Sequence, residues 1–204
     1  MNKVYKSPPL MKKHLVIFCC LIFVAAIAMK RSPAVLAVTI QLNHETEKMQ
    51  SFPPDSVKGD FNGDGKQEYM WLAGPEIDSS GMGCKGLCDS WIRFSDPAIP
   101  PIKIENCIGG IPVNLGDLNK NGGDEIGLLP DWFTSCWRNY FVWTLKNKAW
   151  VYAVPPIETH CNQWEGGVWP IEIDPKIKGN VIIRYSEMVD TAIVLKTKSV
   201  LIVK

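Results

Sequence analysis

The residues best suited to chemistry lie in two short loops in which oxygen-bearing side chains alternate with other residues. The first loop, DFNGDGKQE, covers residues 60–68, and the second, DLNKNGGDE, covers residues 117–125. Each loop has Asp, Asn or Glu at its positions 1, 3, 5 and 9 and glycine at position 6. A hard cation such as Ca²⁺ takes about six to eight oxygen ligands, so this pattern predicts a calcium site in each loop.

The spacing indicates which atom each position would give to the ion. Side chains at positions 1, 3 and 5 point inward, position 7 offers its backbone carbonyl, and the acid at position 9 closes the shell. Glycine at position 6 permits the sharp reversal of the chain. The predicted metal ligands are Asp60, Asn62, Asp64, Lys66 and Glu68 in the first loop and Asp117, Asn119, Asn121, Gly123 and Glu125 in the second. The second loop has one carboxylate fewer among its ligands, so we expect it to bind calcium more weakly.

Two simpler interpretations compete with this one. An EF-hand needs a closing Glu at position 12, but that position holds Trp71 in the first loop and Leu128 in the second. A single acidic, glycine-rich segment is equally well explained as a solvated hairpin turn. Two loops at a fixed interval, each followed by a short apolar run that predicts a buried strand, favour the metal site.

A third, altered copy of the loop indicates a repeat protein. The first two loops begin 57 residues apart, and the same interval leads to Asp174. Gly179 stands at position 6 of this copy, whereas lysines replace the oxygens at positions 3 and 5 and Ile182 replaces the acid. We expect no metal in this third loop and a lysine ammonium paired with Asp174 instead. The sequence therefore predicts one all-β repeat domain at residues 54–204, with repeats at about residues 54–107, 108–161 and 162–204.

The pattern Asp-x-Asn-x-Asp/Asn-Gly-x-x-Glu, repeated and leading into a strand, resembles the FG-GAP or VCBS-type repeats of β-propellers. In that family the loop joins the first two strands of a blade and binds calcium. The resemblance covers about residues 54–204 and implies three consecutive antiparallel four-stranded propeller-blade-like repeats with structural calcium. Three repeats are fewer than the roughly four to eight blades of a closed ring. The expected fold is therefore an incomplete or atypical propeller, and self-association that completes a ring is possible.

Apolar alternation and turn residues predict the strands within each repeat. They fall at residues 68–72, 90–94 and 102–105 in the first repeat, at 111–115, 125–129, 140–145 and 149–154 in the second, and at 168–173, 181–185, 191–197 and 200–203 in the third. Strands joined as meanders would place the calcium loops at one end of the sheets. The long connections at residues 75–89, 131–138 and 155–167 would then lie at the other end, where binding loops usually occur.

The N-terminal region predicts export. Residues 1–37 are expected to be a signal peptide, or an N-terminal anchor and linker, and residues 38–53 a strand or linker. The apolar run at residues 15–29 follows positive charges and contains a small-x-small cleavage pattern, and it is shorter than the about 20 residues of a membrane span. Basic residues directly after the run leave an uncleaved anchor open. We expect a secreted, periplasmic or cell-surface protein, with membrane contact only through such an anchor.

Export would place the remaining cysteines in a compartment where disulfides can form. Five of them follow the N-terminal segment, namely Cys84, Cys88, Cys107, Cys136 and Cys161. An oxidising compartment predicts two disulfides and one free or intermolecular thiol. Their spacing leaves the pairing open.

Recognition without catalysis is the function that the sequence favours. Trp132, Trp137 and Trp164 lie in the long connections and are candidates to bind a glycan or a protein ligand. No catalytic residue is predicted. A secreted hydrolase that uses Asp131, Glu158 and Glu165 in the same connections is the alternative. The net charge of +1 and the lack of a basic tract in the mature chain argue against nucleic acid.

Overall fold

Strands dominate residues 52–204, the part of the chain that the computed structural model describes. They form three antiparallel sheets, which confirms the all-β prediction, and one short helix accompanies them. Residues 1–51 are outside the described residues, and with them the predicted targeting segment at 1–37 and nearly all of the strand or linker at 38–53. Within the described part, no helix has the length and apolar character needed to cross a bilayer.

The first sheet is a four-stranded meander that follows the order of the chain. It consists of β1 (Val57–Gly59), β2 (Glu68–Ala73), β3 (Ser90–Phe94) and β4 (Ile102–Ile104). Alternate residues of β3 and β4 are buried, as expected for strands with one face against a core. The first acidic loop connects β1 to β2.

The second sheet begins in the same way and then adds a strand. Its members are β5 (Val113–Asn114), β6 (Ile126–Leu128), β7 (Trp137–Lys146), β8 (Ala149–Tyr152) and β9 (Ile157–His160). The C-terminal half of β7 pairs with β8 and its N-terminal half pairs with β9. Helix α1 (Cys161–Glu165) follows immediately. The expectation of a loop throughout residues 155–167 is therefore wrong, because β7 is long enough to hold a second partner.

The third sheet has three strands, so the prediction of four strands in every repeat is wrong. Its strands are β10 (Ile171–Ile173), β11 (Asn180–Val189) and β12 (Ala192–Leu201). The predicted strands at 191–197 and 200–203 belong largely to the single strand β12. The cause is the hairpin register, which pairs β11 and β12 without interruption from Val189↔Ala192 to Asn180↔Leu201.

Two groups of buried side chains hold these sheets together. One joins the first and second sheets and includes Phe61, Met70, Ile92, Ile126 and Trp143. The other joins the second and third sheets and includes Tyr140, Val142, Ile157, Val181 and Ile202. The end of the chain strengthens the second contact, since Val203 N donates to Ala153 O at 2.9 Å.

The cysteines follow the predicted count of two disulfides and one free thiol. Cys84 pairs with Cys88 and Cys136 pairs with Cys161, whereas Cys107 is buried and unpaired among the described residues. The first bond closes a local loop between β2 and β3. The second ties the segment before β7 to the start of α1, and it thus fixes the connection that leads into the third sheet.

The two disulfides should contribute unequally to stability. A cross-link lowers the entropy of the unfolded chain more when it closes a longer loop, and the sequence separations are 25 residues for Cys136–Cys161 and 4 for Cys84–Cys88. Replacing Cys136 and Cys161 by serine should lower the free energy of unfolding by about 3–4 kcal/mol, and replacing Cys84 and Cys88 by about 2 kcal/mol. Urea unfolding of the two double variants measures this difference. Equal losses would contradict the assignment of the longer-range bond.

Candidate functional site

The two intact acidic loops have the same internal hydrogen bonds. In the first loop Asp60 accepts from the N–H groups of Asp64 and Gly65, at 3.1 and 2.8 Å. In the second loop Asp117 accepts from the corresponding N–H groups of Asn121 and Gly122, both at 3.0 Å. The position 5 side chain accepts from the position 7 N–H at 2.8 Å in both loops. The sequence repeat is therefore also a structural repeat.

The backbone conformations of the two loops agree as well. Positions 4 and 6 have positive φ in both, with 74° and 84° at Gly63 and Gly65 and 60° and 100° at Lys120 and Gly122. Glycine tolerates this region and other residues do so only with strain. A lysine at position 4 of the second loop therefore indicates that the surrounding hydrogen bonds impose the loop conformation.

Three carboxylates converge in the first loop. Single oxygens of Asp60, Asp64 and Glu68 lie within 4.8 Å of one another. Glu68 is 5% exposed, and its Oε2 accepts from Phe61 N at 3.0 Å. Burial, followed by the nearby charges of Asp60, Asp64 and Asp96, raises the pKa of Glu68. A cation in this loop would offset the same repulsion.

The closing acid of the second loop is buried more deeply. Glu125 is fully buried, and its Oε2 accepts from Leu118 N and Asn119 N at 2.7 and 3.1 Å. Burial raises its pKa to about 7 despite hydrogen bonds from Thr144 and the backbone. Asn119 also contacts the end of the chain, because its Nδ2 donates to Val203 O at 2.9 Å.

The two acidic loops contact each other, so the first and second repeats share one end that is rich in carboxylate and amide side chains. Asp124 N donates to Asp60 O at 2.7 Å, and Asp60 N donates to Asp124 Oδ2 at 3.0 Å. A Cβ added to Gly63 would lie 3.1 Å from Gly122 C, which shows how closely the two backbones approach. A change in one loop is therefore transmitted directly to its neighbour.

The third loop is closed by protein groups alone. Asp174 accepts from Lys176 N at 2.8 Å, Ile177 N at 3.2 Å and the Ser199 hydroxyl at 2.5 Å. Among the described residues, Asp174 has no side-chain ion pair within 4.0 Å, so the expected lysine partner is replaced by Ser199. The hydroxyl of Ser199 is the main cause that lowers the pKa of Asp174.

A pocket of about 350 Å³ lies at the opposite end of the second and third sheets. Trp164 and Trp169 form one wall with their rings at 80°, and Arg138 and Asp131 form another. Tyr140 and the aliphatic residues Ile111, Val113 and Leu129 complete the lining. We call this cavity the aromatic pocket. It adjoins the segment that the Cys136–Cys161 disulfide fixes.

Hydrogen bonds set the orientation of the pocket walls. Trp164 Nε1 donates to Thr159 Oγ1 at 3.0 Å, and Thr159 Oγ1 donates to Arg138 O at 2.8 Å. Arg138 Nη1 donates to Asp131 Oδ1 at 2.7 Å. Asp131 also forms an isolated antiparallel β-bridge with Gly109, which holds its backbone in place. The polar wall is thus built on β7 and its neighbours.

Two buried polar atoms of this pocket's residues have no partner among the described residues, namely Arg138 Nε and the Tyr140 hydroxyl. Such groups are rare in folded proteins, because an unpaired buried donor costs free energy. The Tyr140 hydroxyl lies over Gly127, where a Cβ would be 1.9 Å away. Its burial also raises the pKa of Tyr140. Because Arg138 Nε is buried, only the terminal nitrogens of its partly exposed guanidinium could reach a ligand.

The other candidate ligand-binding residues, and the carboxylates of the alternative hydrolase, are dispersed. Of the three candidate tryptophans only Trp164 lines the aromatic pocket. Trp132 contacts Phe133, and Trp137 packs edge-on against His160. Glu158 pairs with Asn139, the residue between Arg138 and Tyr140, so it lies on the other face of the β7–β9 pair. Glu165 is exposed at the end of α1.

Trp169 and Arg138 were not among the predicted site residues. Trp169 was assigned to a strand at 168–173, but Pro170 follows it and β10 begins only at Ile171. That proline was the available signal, since it cannot donate to a ladder and favours a strand start after it. Arg138 gave no comparable signal, because its role depends on the pairing of β7 with β9.

A larger groove of about 680 Å³ runs beside β4 and β8 and is lined by Trp143, Trp150 and Tyr152. Two of its polar groups are already engaged. Trp150 Nε1 donates to Pro100 O at 2.7 Å, and Lys103 pairs with Asp89 at 2.9 Å and with Glu105 at 3.1 Å. The aromatic pocket is the better candidate, because it combines the exposed indole of Trp169 with an Asp131 oxygen that accepts no hydrogen bond from the described residues.

Comparison of the chain with protein-family models, with curated proteins and with solved structures finds no match.

Asp174→Asn should destabilise the protein at pH 7, and the destabilisation should be smaller at pH 3. The folded-state pKa of Asp174 is lowered, so the charged carboxylate stabilises the fold above the unfolded pKa of about 3.9, and this contribution is lost as the pH falls through the folded value. Urea unfolding of both proteins at the two pH values measures the difference. Asp190→Asn, in the turn of the β11–β12 hairpin, is the matched control and should leave the free energy of unfolding unchanged at both pH values. An unchanged difference at pH 3 would contradict this account.

Proposed function

We propose that this protein is an exported, calcium-stabilised repeat protein that recognises a glycan or another protein without catalysing a reaction. The observation that carries the proposal is the pairing of two features at opposite ends of the same strands. Matching acidic loops lie at one end, and a tryptophan-lined pocket beside a disulfide lies at the other. We further propose that the sheets correspond to FG-GAP or VCBS-type propeller blades.

The donor set of the first loop fits Ca²⁺. Calcium lies about 2.3–2.6 Å from its oxygens, so ligands on opposite sides of one ion are about 4.6–5.2 Å apart. The 4.8 Å limit that contains the oxygens of Asp60, Asp64 and Glu68 is compatible with that sphere. Asn62 Oδ1 and the Lys66 carbonyl would supply further neutral oxygens. The second loop offers Asp117 and Glu125 with Asn119, Asn121 and the Gly123 carbonyl, a weaker set because it carries less charge.

The role of calcium in this proposal is structural. Each loop joins the first strand of a sheet to the second, and each has several exposed residues that do not pack on the core. An ion bound at this point would hold the hairpin closed and would compensate the buried acid at position 9. The contact between the first two loops would extend the effect across both repeats.

Two disulfides support export, since such bonds persist in oxidising compartments and are rare in the cytosol. In this proposal the apolar N-terminal segment directs the chain to export. The recognition end combines connections between strands with a disulfide and aromatic side chains, a combination suited to binding on a rigid scaffold.

Calcium should raise the melting temperature of the purified protein, and Asp60→Ala should remove most of this shift. A ligand that binds only the native state at about a hundredfold excess over Kd stabilises it by about 2.7 kcal/mol, or about 5–10 °C for a chain of this size. Thermal unfolding with calcium and with a chelator measures the effect. Asp174→Ala is the matched control, because it alters the metal-free third loop and should leave the calcium shift intact.

Identical melting of the wild type in calcium and in chelator would overturn the calcium proposal, provided that no ion stays bound. A shift that survives Asp60→Ala but disappears in Asp117→Ala would move the principal site to the second loop.

The protein should leave oligosaccharides unchanged in length. Asp131 is paired with Arg138 and Glu158 lies on the other face of the strand pair, so the two carboxylates do not face one substrate. Incubation with neutral oligosaccharides followed by chromatography of the products tests this expectation. Shortened products that vanish in the Asp131→Asn, Glu158→Gln and Glu165→Gln variants would establish the hydrolase instead.

A further inference from the structure

We infer that the aromatic pocket binds one or two residues of a neutral saccharide, stacked on Trp169 and hydrogen-bonded to Arg138 and Asp131. This inference rests on the proposed recognition function and names the class of ligand and the residues that take it. The acidic loops lie at the other end of the sheets and are not part of this binding site.

The apolar part of the pocket suits the face of a sugar ring. Trp169 is 55% exposed, although an indole of this size is usually covered in a stable fold. Its ring stands at 80° to that of Trp164, with 6.1 Å between the ring centroids, so the two indoles form a corner. A pyranose has an apolar C–H face that packs on an aromatic ring and an edge of hydroxyls that remains for polar groups.

The polar part of the pocket suits a pair of neighbouring hydroxyls. Arg138 Nη1 donates to Asp131 Oδ1, and the other terminal nitrogen of this guanidinium, Nη2, has no hydrogen bond in the described part of the chain. Asp131 uses Oδ1 for Arg138 and receives no hydrogen bond from the described residues at Oδ2. A hydroxyl both donates and accepts, so one hydroxyl can accept from Arg138 while the next donates to Asp131. The tie between Trp164 and the carbonyl of Arg138 holds both walls in place before binding.

The charge of the pocket selects a neutral ligand. Arg138 and Asp131 are its only charged lining residues in the described chain, and they neutralise each other. A carboxylated or sulfated sugar would place its charge beside the Asp131 carboxylate and would compete with it for the guanidinium. Such like-charge contacts disfavour binding where water is partly excluded.

The size of the pocket sets the length of the recognised unit. Its volume of about 350 Å³ lies near the lower end of the range of about 300–1,000 Å³ for small-molecule sites. One or two sugar rings would fill it, and the exposed Ile111 and Trp169 at its rim would allow a longer chain to continue outward.

The test is isothermal titration calorimetry with neutral oligosaccharides of gluco, manno, galacto and xylo configuration, and with oligogalacturonate as the acidic counterpart. We expect at least one neutral series to bind the calcium-loaded protein and oligogalacturonate to bind at least tenfold more weakly (a difference of about 1.4 kcal/mol). Trp169→Ala should weaken binding about tenfold through the lost stacking surface. Tyr152→Ala is the matched control, because Tyr152 is also an exposed aromatic residue but does not line the pocket.

Arg138→Lys tests the polar wall separately. Lysine keeps the positive charge opposite Asp131 but lacks the two terminal nitrogens with which the guanidinium can bond Asp131 and a hydroxyl together, so binding should weaken about three- to tenfold. Thermal unfolding of each variant verifies that the fold is retained.

Each failure has a distinct meaning. Binding that survives Trp169→Ala but is lost in Tyr152→Ala would overturn the pocket and favour the groove beside β4 and β8, which Tyr152 lines. Stronger binding of oligogalacturonate would overturn the neutral class. If none of the neutral series binds, the inference is wrong, whereas the calcium-dependent shift in melting temperature would still stand on its own.

Discussion

Two buried carboxylates impose the main constraint on this fold. Glu68 and Glu125 lie beneath the acidic loops, at the point where each chain segment enters its sheet, and an ionised acid is costly to bury unless its oxygens are satisfied. One oxygen of each accepts from the backbone N–H at position 2, which belongs to Phe61 or Leu118. Because those side chains pack in or against the two cores, the acid, the loop and the core are coupled. Opening a loop would expose apolar surface and leave a carboxylate without its donor.

Much of the fold could be predicted because its first two repeats obey local rules. The predicted strand at 90–94 matches β3 at both ends. The positions of the two acidic loops follow from the spacing of their polar residues and glycines. The third repeat differs from the prediction because the length of β12 is set by its pairing with β11 and not by local turn residues. The segment around Lys198 carries no turn signal strong enough to end β12, and the ten-residue partner β11 continues beside it. The pairing of β9 with β7 is likewise a long-range contact that local periodicity does not report.

The candidate sites were predictable to different degrees for the same reason. A loop whose polar side chains lie within nine residues can be recognised from spacing alone, and both acidic loops connect two strands as the spacing predicts, whereas their metal binding stays a prediction. The aromatic pocket is assembled from β7, α1 and the segment before β10, and its partners meet only after folding. Trp164 was found by composition, whereas Arg138 depends on the tertiary contact that leaves its Nε buried without a partner. The number of disulfides followed from counting, but their pairing needed the three-dimensional path of the chain.

The third loop shows what the closing acid adds. Its Asp174 and its glycine with φ of 87° keep the positions of the other loops, yet Ile182 stands where Glu68 and Glu125 stand in theirs. Here a serine hydroxyl and backbone N–H groups satisfy Asp174, and no further charge is buried. Hydrogen bonds within the protein thus satisfy the aspartate of this hairpin. The aspartate at position 1 accepts backbone hydrogen bonds in all three repeats, so the buried acid at position 9 is what distinguishes the first two loops from the third. The protein thus contains its own comparison between a loop that buries a second carboxylate and one that does not.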